Sequence, residues 1–194
     1  MALFWAVTLL SAAALAFEVL LMRLFSIVQW HHFAYMIISL ALLGYGASGT
    51  VLCFLRSRLL RRFPLAFAAA AALFGLSAPV GFAVAQWIPL NSLEIVWDRG
   101  QQVYLLAVYL VLAVPFLCVA TAIGLALSAP RARIEVIYRS DLVGAALGAS
   151  GIVGALFVLT PATCLQLIGA AGLVAAALGA WHESVRRAVP TALL

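Results

Sequence analysis

Polar residues in this chain gather in short gaps between six apolar runs, each close to the length that crosses a bilayer. A helix needs roughly 20 apolar residues to span the hydrocarbon core. That spacing predicts spans at about 3–27, 33–55, 65–88, 103–127, 141–160 and 163–181. The pattern reads as an all-α integral membrane protein, a single six-helix domain over residues 1–194. The first run resembles a secretory signal at its alanine-rich end. It has no positive n-region, however, and it stays apolar past Glu18, so it is read as a retained first helix. The gap from Pro89 to Gln102 is the only one on its side long enough for structure of its own, with Ser92 to Asp98 as a short amphipathic turn.

Composition agrees. Hydrophobic residues make up 67% of the chain, charged residues 9%, and the mean hydropathy is +1.20. So few charges cannot clothe a water-soluble domain of this size. The formal charge of +5 comes from eleven basic residues, all arginine. Arg56, Arg58, Arg61 and Arg62 share one gap, Arg131, Arg133 and Arg139 another, and Arg186 and Arg187 the tail. The opposite gaps hold Arg99, offset by Glu94 and Asp98, with Arg23 near a span end. This asymmetry predicts cytoplasmic termini, in a bacterial cytoplasmic membrane, and turns the basic balance away from nucleic acid. Trp5 and Trp181 fall at one predicted interface, Trp30, Trp87 and Trp97 at or just outside the other, as an aromatic belt requires. Cys53, Cys118 and Cys164 lie within spans without metal-ligand spacing and read as small buried side chains.

Within the spans, Pro79 and Pro115 sit near the middle of the third and fourth, where each frees a backbone carbonyl; they are candidate hinges. Gly44, Gly46 and Gly49 in the second span, and Gly144, Gly148, Gly151 and Gly154 in the fifth, are candidate packing positions, and Gly144 and Gly148 form a GxxxG pair. GASGTV from Gly46 and GASGIV from Gly148 lie three spans apart, as a weak 3+3 inverted repeat would place them. Gly44, Gly46 and Gly49 also match GxGxxG by letter. That motif needs a preceding strand and an open helix start, so inside a membrane span it reads as packing, and no cofactor is expected.

Ionisable residues inside a span are costly and mark function by default. Glu18 and Arg23 stand five positions apart, about 140° around a helix, so each is expected to face another helix. Arg23 is near enough to the boundary to snorkel. Glu18 lies deeper, with Tyr35, Ser39, Gln86, Tyr104, Tyr109, Thr160, Thr163 and Gln166 at similar depth as partners of an outward-opening polar pocket. A purely structural cluster is the competing reading. His31 and His32 follow Trp30 in a tight turn, and adjacent histidines point about 100° apart, so an interfacial turn is favoured over a metal or haem site. Ser140 and Asp141 read as a cap and first-turn acid for the fifth helix. With Arg56, Arg58, Arg61 and Arg62, Asp141 is also a candidate docking group for a cytoplasmic partner.

These residues also carry a family resemblance. Glu18-Val19-Leu20 followed by Arg23-Leu24-Phe25-Ser26 resembles the first-helix pattern of membrane-embedded spermidine synthase-like proteins. Phe33-Ala34-Tyr35, Ser39 to Gly44, and Gly49 are similar to their second helix, and Tyr138 to Gly148 resembles their Y-x-x-DL-x-GA-x-x-G segment. In that family a multi-helix membrane domain commonly precedes a soluble domain related to aminopropyltransferases. The resemblance implies that such a domain would bind decarboxylated S-adenosylmethionine or a related cofactor. Up to Leu194 this chain has no glycine-rich strand–loop–helix and no acidic catalytic loop, so no catalytic residue carries over, and an enzyme on its own is not expected.

Three functions follow. The first is a scaffold or binding subunit that joins a soluble enzyme domain or a multisubunit membrane complex, with a polar pocket at Glu18. The second is a small secondary transporter or half-transporter of a polar or cationic solute. The third is the anchor of an enzyme or electron-transfer complex, with the arginine-rich gaps as its docking surface. A homo-oligomer in the lipid bilayer is compatible with each.

Overall fold

The computed structural model describes residues 2–28, 33–91, 93–95, 97–129 and 133–188. The regular structure among them is helical: α1 (Ala2–Val28), α2 (Phe33–Arg61), α3 (Phe63–Trp87), α4 (Arg99–Leu127), α5 (Ile134–Ala155) and α6 (Pro161–Ala188). Among the described residues, six helices are long and apolar enough to cross a membrane. The first four begin and end close to their predicted limits, except that α2 runs on through Arg56 and Arg58 to Arg61. The fifth differs more. It starts at Ile134 rather than near Asp141 and ends at Ala155, because Ile134 to Arg139 continues the helical stripe that buries Ile137, Ser140, Gly144, Gly148 and Ile152.

Local chemistry sets the helix starts. α3 has Pro64 in its first turn, where the missing N–H costs nothing. Asp98 caps α4 by accepting the Gly100 N–H at 2.8 Å. α6 opens on Pro161, and Thr160 Oγ1 accepts the Thr163 N–H at 3.3 Å. Between α3 and α4, the Glu94 carbonyl accepts the N–H groups of Trp97 and Asp98, a turn in the expected segment; Ser92 and Val96 lie outside the described residues. Buried Gln101 reaches back and accepts the Asn91 N–H at 2.8 Å, tying this segment to α4.

The helices pack around α1, whose Val7, Leu10, Phe17, Leu20 and Leu21 are fully buried. α1 lies against α5 and α6, α3 against α4 and α6, and α2 against α4, with a lesser contact between α1 and α2. At the centre Phe17 meets Phe74 of α3 edge-on at 6.2 Å and Phe116 of α4 at 5.3 Å, geometries that favour aromatic pairs. The outer surface carries Leu42, Phe54, Leu73, Val80, Leu106, Leu110, Leu147 and Val174, all exposed. An apolar coat of this extent belongs in lipid.

Glycine sets three of the crossings. A Cβ on Gly144 or Gly148 of α5 would run into the Thr8 or Ala12 carbonyl of α1. One on Gly75 of α3 would lie 2.6 Å from the Gly169 carbonyl oxygen of α6. Gly44 of α2 meets the Phe116 backbone of α4 in the same way. Successive contacts advance together in α1 with α5 and in α2 with α4, and in opposite senses in α3 with α6. Gly46, Gly49, Gly151 and Gly154 face open space. Among the described residues, Gly46, Gly49 and Gly151 make no close helix contact within the bundle, because they lie away from the buried stripe of their helices. Both GASG segments match in letters, but in the first no glycine makes a contact, and in the second only Gly148 does.

Candidate functional site

The polar groups inside the bundle gather where α1 is flanked by α2 and α5. Ser11 and Glu18 stand seven residues apart on α1, about 20° apart around the helix and about 10 Å along it. Ser11 is buried, and its hydroxyl donates to the Asp141 carboxylate of α5 at 2.5 Å. The close approach of α5 at Gly144 and Gly148 brings the two helices near enough for this bond.

This placement corrects the expectation for Ser140 and Asp141. The N-cap position is Arg133, not Ser140. Ser140 is fully buried and donates to the Ile137 carbonyl at 2.7 Å. Asp141 lies seven residues into the helix, half-buried and turned to α1, rather than in the first turn.

Tyr45 of α2 completes the cluster. It is half-buried against the core between Gly44 and Gly46, within electrostatic reach of Glu18 first and Asp141 second. Beside it Ser48, almost wholly buried, donates to the Tyr45 carbonyl at 2.7 Å. α2 and α5 both lean on α1 without a substantial interface between them. Ser11, Glu18, Tyr45 and Asp141 thus come from α1, α2 and α5, with two of the four on α1. Among the described residues, no hydrogen bond or ion pair reaches the half-buried Glu18 carboxylate. One carboxylate is held by a hydroxyl and the other is open, and a phenol lies within electrostatic reach of both. Chemically, such a set can hold a cation or pass a proton.

The pocket expected around Glu18 is assembled differently. Arg23 and Tyr35 are exposed, as are Ser39, which bonds back to the Tyr35 carbonyl, Tyr104 and Gln166. Tyr109 packs against the core. Thr160 and Thr163 bond to each other at the start of α6. Gln86 lines a separate cavity of about 400 Å³ with Leu24, Phe25, Phe82 and Val108. Tyr45, which meets Glu18 electrostatically, is not among the expected partners. The signals were present: Ser11 falls on the Glu18 face at heptad spacing, and Tyr45 is a polar ring in mid-span.

Pro79 and Pro115 lie within continuous helices. A Cβ on Gly169 of α6 would lie 3.3 Å from Pro79 Cγ, and Pro115 is buried. Arg56, Arg58, Arg61 and Arg62 are all exposed around the α2–α3 junction. Cys164 is buried, Cys118 half-buried and Cys53 exposed, and all are free thiols. Among the described residues no group of three or more His, Cys, Asp or Glu side chains could hold a metal. His31 and His32 lie outside the described residues. Comparison with protein families, characterised proteins and solved structures finds no match to this chain.

Proposed function

We propose that this chain is a carrier-type membrane protein that binds a proton or a small cationic solute at the polar cluster where α1 is flanked by α2 and α5. Glu18 is the binding carboxylate, Asp141 with Ser11 is the second, and Tyr45 is the phenol within electrostatic reach of both. The observation that carries the reading is this set of groups on the side of α1 flanked by α2 and α5. Ionisable side chains in membrane helices pair with one another or line polar pathways.

The helix pairings support a carrier built from two inverted halves. Exchanging α1, α2 and α3 with α4, α5 and α6 turns the α1–α5 contact into α4–α2, α3–α4 into α6–α1, and α3–α6 into itself. In each half, glycine of the middle helix admits the first helix of the other half: Gly44 against Phe116, and Gly144 against Thr8. Inverted repeats around a mid-membrane site are a common design of secondary transporters. The arginine-rich gaps favour cytoplasmic termini, in a bacterial cytoplasmic membrane, for such a carrier.

The test is reconstitution in proteoliposomes, following labelled methylammonium as the probe cation and proton flux with a trapped pH dye. Glu18→Gln and Asp141→Asn should each lower flux at least about tenfold while the purified protein keeps its thermal stability. Flux equal to the unsubstituted protein in both variants would sink the reading.

A second reading rests on the exposed Arg56, Arg58, Arg61 and Arg62 around the α2–α3 junction. In it the domain is a scaffold that docks an acidic soluble partner there, in keeping with the resemblance to the membrane half of spermidine synthase-like proteins. Its mark is co-purification of a partner that is lost when those four arginines are neutralised and kept when Glu18 is.

A further inference from the structure

The cavity at the far end of α1 and α3 is separate from the polar cluster and has its own construction. α3 and α4 are closely apposed at Gly81, where a Cβ would lie 3.5 Å from the Val111 carbonyl oxygen. Beyond it a space of about 400 Å³ opens between Leu24 and Phe25 of α1, Phe82 and Ala85 of α3, and Val108 of α4. Its size is in the range of small-ligand sites, roughly 300–1,000 Å³. The segment from Ile88 to Leu90 forms one wall, and that wall is pinned. The Leu90 N–H bonds to the Ile88 carbonyl at 2.8 Å, and the next residue, Asn91, is held by buried Gln101.

The lining decides what fits. Among the described residues, the sole polar side chain on it is the exposed amide of Gln86. Ordered water needs two to four polar partners, and the aliphatic and phenyl side chains that make up most of the described lining offer none. Left empty, the same walls forfeit the dispersion contacts that a packed interior makes. A hydrocarbon chain satisfies the walls, and an ester or carboxylate at its head can accept from the Gln86 amide.

We propose that this cavity binds one fatty acyl chain, with its carbonyl or carboxylate head at Gln86. The chain can belong to a phospholipid or to a free fatty acid, which share this chemistry. The inference is independent of the carboxylate cluster.

The test is native mass spectrometry of the full chain purified from membranes in mild detergent, joined to quenching of Trp87 fluorescence by brominated oleate. The unsubstituted protein should retain an acyl-bearing molecule whose mass tells phospholipid from fatty acid. Brominated oleate should quench a signal that disappears in Trp87→Phe. Ala85→Phe, which fills the cavity, should lower retention at least about tenfold, Gln86→Leu by a few-fold, and Glu18→Gln not at all. Should Ala85→Phe fail to fold, Ala85→Leu and Val108→Phe make the same comparison. An unsubstituted protein that carries no acyl chain and shows no Trp87 quenching, or folded cavity-filling variants that retain as much as it does, would overturn the proposal.

Discussion

At the residue scale the molecule turns on a few positions where one carbon atom decides the outcome. Gly148 and Gly151 stand three apart in one GASG segment, yet the first faces the Ala12 carbonyl and the second faces open space. Gly148→Ala should therefore force α5 off α1 and cost about 2–4 kcal/mol, as overpacking of a tight interface does. Gly151→Ala should be neutral or stabilise by up to about 1 kcal/mol through helix propensity. Thermal unfolding in one detergent checks both, and equal effects would mean that the α1–α5 contact is not as close as described. Ser11→Ala tests the polar cluster at the same scale. It leaves the half-buried Asp141 carboxylate without its hydroxyl donor, a loss of about 1–3 kcal/mol for a bond to a charged group. Ser11→Thr, which keeps the hydroxyl, should recover most of it. The sequence made Glu18 legible because a carboxylate in an apolar run stands out. It hid Tyr45 and the Ser11 partner of Asp141, because a residue's partners depend on crossings between helices that no local pattern encodes.

At the element scale the helices were legible and their crossings largely were not. Span length and arginine-rich gaps place all six helices, and the GxxxG pair at Gly144 and Gly148 correctly marks a close contact. The start of α5 was misplaced because hydropathy registers apolarity, while Ile134 to Arg139 is helical through its buried stripe despite Glu135 and Arg139. The two glycines that face Gly75, Gly169 and Gly172 on α6, were overlooked beside the denser clusters of α2 and α5. The loop before α4 offers a test of a single element. Gln101 holds the Asn91 N–H and is itself buried. Gln101→Ala should weaken this tether by about 1 kcal/mol, the net value of a typical hydrogen bond. Hydrogen exchange at Asn91 should then quicken about fivefold, with exchange in the α1 core unchanged. Faster exchange throughout the chain would show that the tether supports the whole bundle rather than the loop.

At the scale of the whole molecule the question is which way the bundle faces, and the arginines bear on it directly. Arg56, Arg58, Arg61 and Arg62 surround the α2–α3 junction, while Leu93 lies beyond the other end of α3, in the segment that carries Glu94 and Asp98. Translocation is disfavoured for short segments rich in Arg, while Asp and Glu contribute little. Ser57 should therefore face the cytoplasm and Leu93 the opposite compartment. In a background with Cys53, Cys118 and Cys164 replaced, Ser57→Cys should react with an impermeant maleimide only in inverted vesicles. Leu93→Cys should react only in right-side-out vesicles. Labelling of both from one side would mean that α3 does not cross the membrane, and exchanged sides would reverse the orientation. The charge argument predicts a graded response as well. Changing the four junction arginines to Ala leaves Arg131, Arg133, Arg139, Arg186 and Arg187 still favouring the same orientation. A minority of chains should then label from the wrong side, because the bias is a sum over short loops and five of its nine contributors persist. Complete inversion would instead mean that the α2–α3 junction alone sets the orientation of the bundle.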